Sequence, residues 1–158
     1  MTFDAADING DGKLEVLNGS STGVLAASAY PVNPLWSFNN YGYPVRAVLA
    51  RDLDGDGKAE VLAGLDSGYL FALGGDGQVR WRVEAGSAVL SLVCVPANGD
   101  LIAGLRDGSL LIVNPKGEVL LRAPQPSAIT RISPLQGHAH RVLVLDETNT
   151  VRLLEFPR

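Results

Sequence analysis

A nine-residue acidic loop at positions 52–60 carries the side chains of this sequence that are best suited to chemistry. Carboxylates occupy its first, third, fifth and ninth positions, and they belong to Asp52, Asp54, Asp56 and Glu60. Hard oxygen ligands of this kind suit a hard cation, most simply Ca²⁺. The backbone carbonyl of Lys58, at the seventh position, is a further candidate ligand. Because four crowded carboxylates repel one another without a counterion, the loop predicts a calcium site.

A second loop, at positions 7–15, repeats the pattern with one change. Its candidate ligands are Asp7, Asn9, Asp11, Glu15 and the backbone carbonyl of Lys13. Asn9 replaces a carboxylate but still offers a carbonyl oxygen, which calcium accepts. The sequence therefore predicts two Ca²⁺ ions that act as structural clamps, while the alternative of polar turns that bind nothing stays open. An EF-hand is excluded because its twelfth position needs a glutamate, and Asn18 and Ala63 occupy it here.

Charge and composition exclude several classes of function. The formal net charge is −4 and the sequence pI is about 5.1, so no basic surplus is present to replace the counterions of a nucleic acid. Seven acidic residues lie in the two loops, which ties the acidity to metal binding. No apolar run approaches the ~18 residues of a membrane span, so we expect no membrane insertion.

Other reactive side chains favour simple structural interpretations. Cys94 is the one cysteine, lies in an apolar run and is interpreted as a small buried hydrophobe. His138 and His140 have no third ligand near them in sequence, so exposed loop histidines are favoured over a zinc site. No nucleophile–base arrangement, phosphate loop or dinucleotide fingerprint is visible, and we expect a protein that is not an enzyme.

The chain repeats itself. A shift of 45 residues places loop 7–15 on loop 52–60 and Trp36 on Trp81, and a shift of 40 places Gly64 on Gly104. A weaker fourth copy follows, which gives repeats of about 1–44, 45–87, 88–127 and 128–158. Repetition at this period is typical of solenoids and propellers.

Each copy consists of short aliphatic runs separated by Gly-rich or Asx-rich turns, which predicts antiparallel hairpins. The predicted strands are 2–6, 45–50, 61–65, 69–73, 78–83, 89–95, 101–105, 109–113, 118–122, 129–132, 142–145 and 150–155. The prediction is an all-β chain, one domain over 1–158, with about four propeller blades of four-stranded antiparallel meanders. The aromatic, proline-rich stretch 30–44 is predicted to be a long loop between blades.

Two motifs resemble known propeller families. Residues 52–64 resemble the FG-GAP/VCBS-type repeat, the calcium loop of integrin-α-like propellers. Residues 72–81 resemble the blade ending of quinoprotein-like propellers, in which a tryptophan docks between blades. The resemblance implies a propeller fold, bound calcium and an extracellular, cell-surface or periplasmic location, although Met1-Thr2-Phe3-Asp4 is not a signal peptide. The third copy departs from it, with a short turn at 96–100 and Leu121 in place of tryptophan.

These observations favour a non-enzymatic, calcium-binding propeller module for protein–protein or cell-surface interaction. The partner is expected to be another protein or a second copy, bound through open blade ends, and a peptide or glycan is expected at 30–44. The open ends also allow a tight four-blade ring or a piece of a longer propeller. The alternatives are a structural subunit of a larger assembly and the propeller domain of a quinoprotein-like or carbohydrate-active enzyme.

Overall fold

The computed structural model describes residues 1–31, 33–96, 98–135 and 141–156, which form fifteen β-strands. The strands are β1 (Thr2–Ala6), β2 (Glu15–Gly19), β3 (Val24–Ala29), β4 (Asn33–Asn39), β5 (Val45–Arg51), β6 (Glu60–Leu65), β7 (Tyr69–Leu73), β8 (Val79–Glu84), β9 (Val89–Cys94), β10 (Leu101–Leu105), β11 (Ser109–Val113), β12 (Val119–Pro124), β13 (Ile129–Pro134), β14 (Arg141–Asp146) and β15 (Val151–Glu155). The same residues include no helical segment that could cross a lipid bilayer.

The strands form four separate antiparallel sheets, each a meander in chain order. Blade 1 contains β1–β4, blade 2 contains β5–β8, blade 3 contains β9–β12, and blade 4 contains β13–β15 in its described residues. Tight turns make consecutive strands neighbours. In two of them Gly68 and Gly108 adopt φ +85, and their N–H groups donate to Leu65 and Leu105. This arrangement confirms the predicted all-β fold with propeller-type blades.

The first strand of each blade is innermost, and these strands pack side by side in chain order. Close contact depends on a glycine in the second strand of each of the first three blades. A Cβ on Gly64 would lie 2.5 Å from a methyl group of Val89, and Gly19 and Gly104 meet Val45 and Ile129 in the same way. The repeated glycine therefore lets each blade approach the next.

Side chains fill three apolar layers between consecutive blades. We call the side that a blade turns toward the next blade its forward face, and the opposite side its backward face. On the forward face of blade 1, Leu17, Leu25 and Ala27 are fully buried, and they pack against the backward face of blade 2, which includes Val61 and Leu73. Because both faces of an interior blade are apolar, each needs a neighbour on both sides.

The prediction of a long loop over 30–44 was wrong. Residues Asn33–Asn39 form β4, the outermost strand of blade 1, in which Trp36 pairs with Ala27 of β3. The prolines misled the prediction. An outermost strand leaves its outer N–H groups unpaired, so Pro34 can replace one of them without loss of a ladder hydrogen bond. The predicted histidine positions, His138 and His140, lie outside the described residues.

Candidate metal centre

Loop 52–60 connects β5 to β6 and is shaped by its own carboxylates. The two oxygens of Asp52 accept hydrogen bonds from the N–H groups of Gly55 (2.7 Å) and Gly57 (2.9 Å). Both glycines have positive φ, +81 and +86, which a side chain would oppose. The sequence thus folds a tight turn around the first carboxylate of the motif.

The next two carboxylates hold the loop in successive Asx turns. Asp54 Oδ1 accepts from the N–H of Asp56 (3.1 Å), and Asp56 Oδ1 accepts from the N–H of Lys58 (2.8 Å). Asp and Asn favour such turns because their short side chains reach the backbone two residues on. One oxygen of each carboxylate is thereby used to form the turn.

Three of the predicted ligands converge. Carboxylate oxygens of Asp52, Asp54 and Glu60 lie within 4.8 Å of one another. Asp52 and Asp54 are exposed, whereas Glu60 begins β6 and is only 8% exposed. Asp56 lies outside this group of three. The arrangement offers an oxygen-only site, open to solvent on one side, of the kind that Ca²⁺ accepts.

Electrostatics at Glu60 favour a cation. Burial raises the pKa of this carboxyl, and the negative charges of Asp54 and Asp56 raise it further, while the N–H of Leu53, which donates to Glu60 Oε2 over 2.9 Å, acts in the opposite direction. The causes that raise the pKa disfavour the ionised carboxylate. A divalent ion beside Glu60 would reverse that effect because it stabilises the ionised form.

Loop 7–15 connects β1 to β2 and has the same hydrogen-bond pattern. Asp7 accepts from Gly10 (2.6 Å) and Gly12 (2.8 Å), and Glu15 Oε2 accepts from the N–H of Ile8 (3.0 Å). The hydrogen bond from Gly12 is the main cause that lowers the pKa of Asp7. Asn9 and Asp11 each hold an Asx turn, the latter to the N–H of Lys13.

The first loop does not bring three carboxylates as close together as the second, within the part of the chain that is described. Asn9 is the reason, because it stands where Asp54 supplies the third carboxylate. Glu15 is 1% exposed and remains the most buried acidic side chain of this loop. The two loops are therefore alike in backbone and different in charge.

The two loops lie against each other. The N–H of Ala59 donates to the backbone carbonyl of Asp7 over 2.9 Å. The methylene chain of Lys58 crosses Gly10, where an added Cβ would meet Lys58 Cε at 3.1 Å. Both candidate ion sites therefore lie side by side, and a backbone hydrogen bond joins the two loops.

A tryptophan ties each of the first two blades to the next. The indole N–H of Trp36 donates to the carbonyl of Gly75 (2.8 Å), and that of Trp81 donates to the carbonyl of Pro115 (2.9 Å). The rings rest on Gly77 and Gly117, where a Cβ would come within 2.7 and 2.8 Å of them. Both tryptophans therefore dock between blades, as the resemblance of residues 72–81 implies.

One structural difference beside the second loop escaped the sequence prediction. At the first loop, Gly75 packs on the carbonyl of Ile8. At the second loop Pro115 takes the place of Gly75, and a cavity of about 460 Å³ opens there. Its lining residues are Leu53, Asp54, Asn114, Pro115, Lys116 and Glu118. The repeat alignment contained a signal, the exchange of glycine for proline.

A family model for the lambda-carrageenase beta-propeller domain matches residues 22–127, about two thirds of the chain. The chain belongs to this family. The matched region extends from the turn before β3 to the end of blade 3 and includes loop 52–60 and both tryptophans. Membership in a carrageenase-type propeller family confirms the propeller part of the expected resemblance. The calcium-binding repeat remains a prediction.

Solved structures with this fold are distant in sequence. The computationally designed Ika4 protein is 17% identical with a TM-score of 0.79, and the match covers 99% of this chain and 90% of that one. BamB from Moraxella catarrhalis is also 17% identical with a TM-score of 0.71, over 96% of this chain and 47% of that one. The designed Ika8 protein matches over 98% of this chain and 45% of its own, with a TM-score of 0.78 and 17% identity. Such identities show the fold alone, and no curated protein sequence matches this propeller domain.

Proposed function

We propose that this chain is a calcium-stabilised propeller module that binds partners and has no catalytic activity of its own. The observation that supports calcium binding is the convergence of Asp52, Asp54 and Glu60 within 4.8 Å of one another. Oxygen ligands alone, at a sharp turn, favour Ca²⁺ over metals that prefer nitrogen or sulfur.

The ion would act as a clamp between two strands. Asp52 follows the end of β5, and Glu60 is the first residue of β6, so a shared cation joins the two strands at their open end. It also offsets the repulsion that raises the pKa of Glu60. Binding to the folded chain alone stabilises it by mass action, about 2.7 kcal/mol when free calcium is a hundredfold above the dissociation constant.

Calorimetric titration of the metal-free chain with CaCl₂, together with melting curves in EDTA and in Ca²⁺, tests this proposal. We expect heat of binding and a higher melting temperature in Ca²⁺, and we expect Glu60→Gln to weaken both. Glu147→Gln is the matched control, since Glu147 is exposed and lies outside both loops. An unchanged melting temperature with no heat of binding would exclude the clamp.

A second candidate function is glycan binding as the propeller domain of a carbohydrate-active protein, and the family match favours it. The ligand that the family's name suggests is lambda-carrageenan. Three tyrosines near β4 offer aromatic surface for sugar rings: Tyr30, Tyr41 and Tyr43 are 85%, 93% and 54% exposed. This is the stretch in which the sequence predicted a peptide or glycan site.

Affinity electrophoresis in lambda-carrageenan gels, with unsulfated agarose as the reference, tests the glycan proposal. We expect retardation by the sulfated polymer and less retardation for Tyr41→Ala. Leu120→Ala is the control, because Leu120 is exposed on blade 3. Equal mobility in both gels would argue against glycan binding, and release of reducing ends by the chain alone would contradict the non-catalytic assignment.

A further inference from the structure

The forward face of every blade is built on the same three positions. In blades 2 and 3 these positions hold Leu62, Leu70 and Ala72, and Ile102, Leu110 and Ile112. All six side chains are at most 8% exposed, because the next blade covers them. This is the surface through which one blade joins another in this molecule.

Blade 4 has apolar side chains at the same three positions, and no other blade covers them among the described residues. In blade 4, Leu143 pairs with Leu153, and these two residues take the positions of Ile102 and Ile112 in blade 3. Val151 pairs with Leu145 and takes the position of Leu110, which pairs with Gly104. Leu143, Val151 and Leu153 are 37%, 61% and 54% exposed. Water thus meets a surface that is buried at each of the three interior joints.

Blade 1 exposes the matching backward face. Val16 is 48% exposed, whereas its equivalent in blade 2, Val61, is fully buried against blade 1. Phe3 of β1 takes the position that Val48 has in blade 2, and it is 78% exposed. The side-chain oxygen of Asn18, on the same side of β2 as Val16, is buried and has no hydrogen-bond partner among the described residues. Blade 1 therefore exposes a backward face of the kind that a forward face covers at the interior joints.

We infer that two copies of this chain join head to tail, so that blade 4 of each packs on blade 1 of the other and the two arcs complete one ring. The two exposed faces match the forward and backward faces that meet in an interior joint, and each copy carries one forward and one backward face. The exposure of both faces shows that the chain does not close on itself within the described residues. The exposed side chains that carry the inference lie outside both acidic loops and outside residues 30–44, so it does not depend on the calcium or glycan proposals.

The length of the chain relative to longer propeller chains supports a ring of two copies. Nearly the whole chain superposes on Ika8 and on BamB, yet it covers only 45% and 47% of them, whereas it covers 90% of Ika4. Two copies of this chain would together match the length of one such longer propeller chain. A head-to-tail contact closes when its rotation fits the ring, and here two such contacts suffice.

Light scattering coupled to size exclusion tests the inference on the 158-residue chain. We expect a particle of twice the 16.7 kDa chain mass, whose dissociation constant rises at least about tenfold in Leu153→Asp and in Val16→Asp, because each buries an unpaired charge in the joint. Leu120→Asp is the control, since this exposed leucine lies on β12, away from both faces, and circular dichroism checks that every variant is folded.

A mixture of the two variants separates head-to-tail pairing from face-to-face pairing. Leu153→Asp keeps an intact blade 1 face and Val16→Asp keeps an intact blade 4 face, so the mixture should recover dimers through one intact joint. A monomer at all concentrations, an open polymer, or a dimer that survives either single substitution would overturn the inference.

Discussion

The indole N–H of Trp36 in blade 1 donates to the carbonyl oxygen of Gly75 in blade 2, 2.8 Å away, and Trp81 makes the same bond to Pro115 of blade 3. Each bond reaches from the outermost strand of one blade to the last turn of the next. The two tryptophans therefore fix the angle between blades at the outer edge, while the glycine contacts of the innermost strands fix it at the axis.

Trp81→Phe should destabilise the chain by about 1–3 kcal/mol, because it removes the donor to the Pro115 carbonyl and leaves part of the Gly117 surface uncovered. Urea unfolding followed by circular dichroism measures the change. Tyr41→Phe is the control, since Tyr41 is 93% exposed. Equal midpoints for Trp81→Phe and the parent chain would contradict an anchoring role.

Gly75→Ala should be among the most damaging small substitutions. An added Cβ would overlap the carbonyl oxygen of Ile8, which is backbone and cannot turn aside. We expect a loss of at least about 2 kcal/mol, as for overpacked sites. Gly12→Ala is a useful comparison, because Gly12 has φ +82 and open space around it, so it reports backbone strain without a clash. A smaller loss for Gly75→Ala than for Gly12→Ala would show that the contact yields.

Asp146 should make stability depend on pH at the acid end. Thr148 donates to its carboxylate from its hydroxyl (2.6 Å), Thr150 donates from its N–H, and Arg152 lies 2.6 Å away. Together they hold the pKa of Asp146 far below its usual value. In the unfolded chain this carboxyl binds a proton near pH 4, so its stabilising effect is present above about pH 4 and is lost as the pH falls.

Melting curves between pH 2 and pH 6 test that dependence. We expect Asp146→Asn to melt at a lower temperature than the parent at pH 6 and to lose less stability on acidification. Glu147→Gln, a substitution of the exposed neighbouring acid, should leave the parent's profile unchanged. Parallel profiles for the parent and Asp146→Asn would contradict the prediction.

Asp66 should contribute a smaller, salt-sensitive amount. Its Oδ1 accepts from Arg46 of blade 2 (2.8 Å) and from Arg106 of blade 3 (2.7 Å), which joins the two blades at their surface. Both arginines are about half exposed, so Asp66→Asn should cost less than about 1 kcal/mol. The difference from the parent should shrink in 1 M NaCl, where screening is strong. A larger loss that does not change with salt would indicate packing instead of charge.

Much of the fold could be predicted from the sequence, because hairpin turns and alternating aliphatic runs are local signals. Strands such as Tyr69–Leu73 and Ser109–Val113 agree residue for residue with the structure. The edge strand Asn33–Asn39 could not be recognised by the same rules. Its side chains are largely exposed, its prolines imitate a loop, and only its pairing with β3 defines it.

The ligand residues of the candidate metal centre could be predicted from the sequence, but their arrangement in space could not. The spacing of the carboxylates pointed to Asp52, Asp54 and Glu60, which do converge. It could not show that Asp56 would lie outside that group, since the spacing gives the order of the carboxylates along the chain and not the positions of their oxygens. Nor could it show the bond from Ala59 to Asp7, which is a contact between blades.

The tryptophan bonds described between blades 1 and 2 and between blades 2 and 3 imply an order of local opening. Blade 3 has Leu121 at the tryptophan position, and it packs without donating an indole bond. Among the described residues, apolar contacts and the hydrogen bond from the N–H of Ile132 to Ser91 Oγ (3.0 Å) hold the joint between blades 3 and 4, and no tryptophan bond adds to them. Backbone amides of β14 and β15 should exchange with deuterated water sooner than those of β6 and β7, so that the chain frays from blade 4 inward.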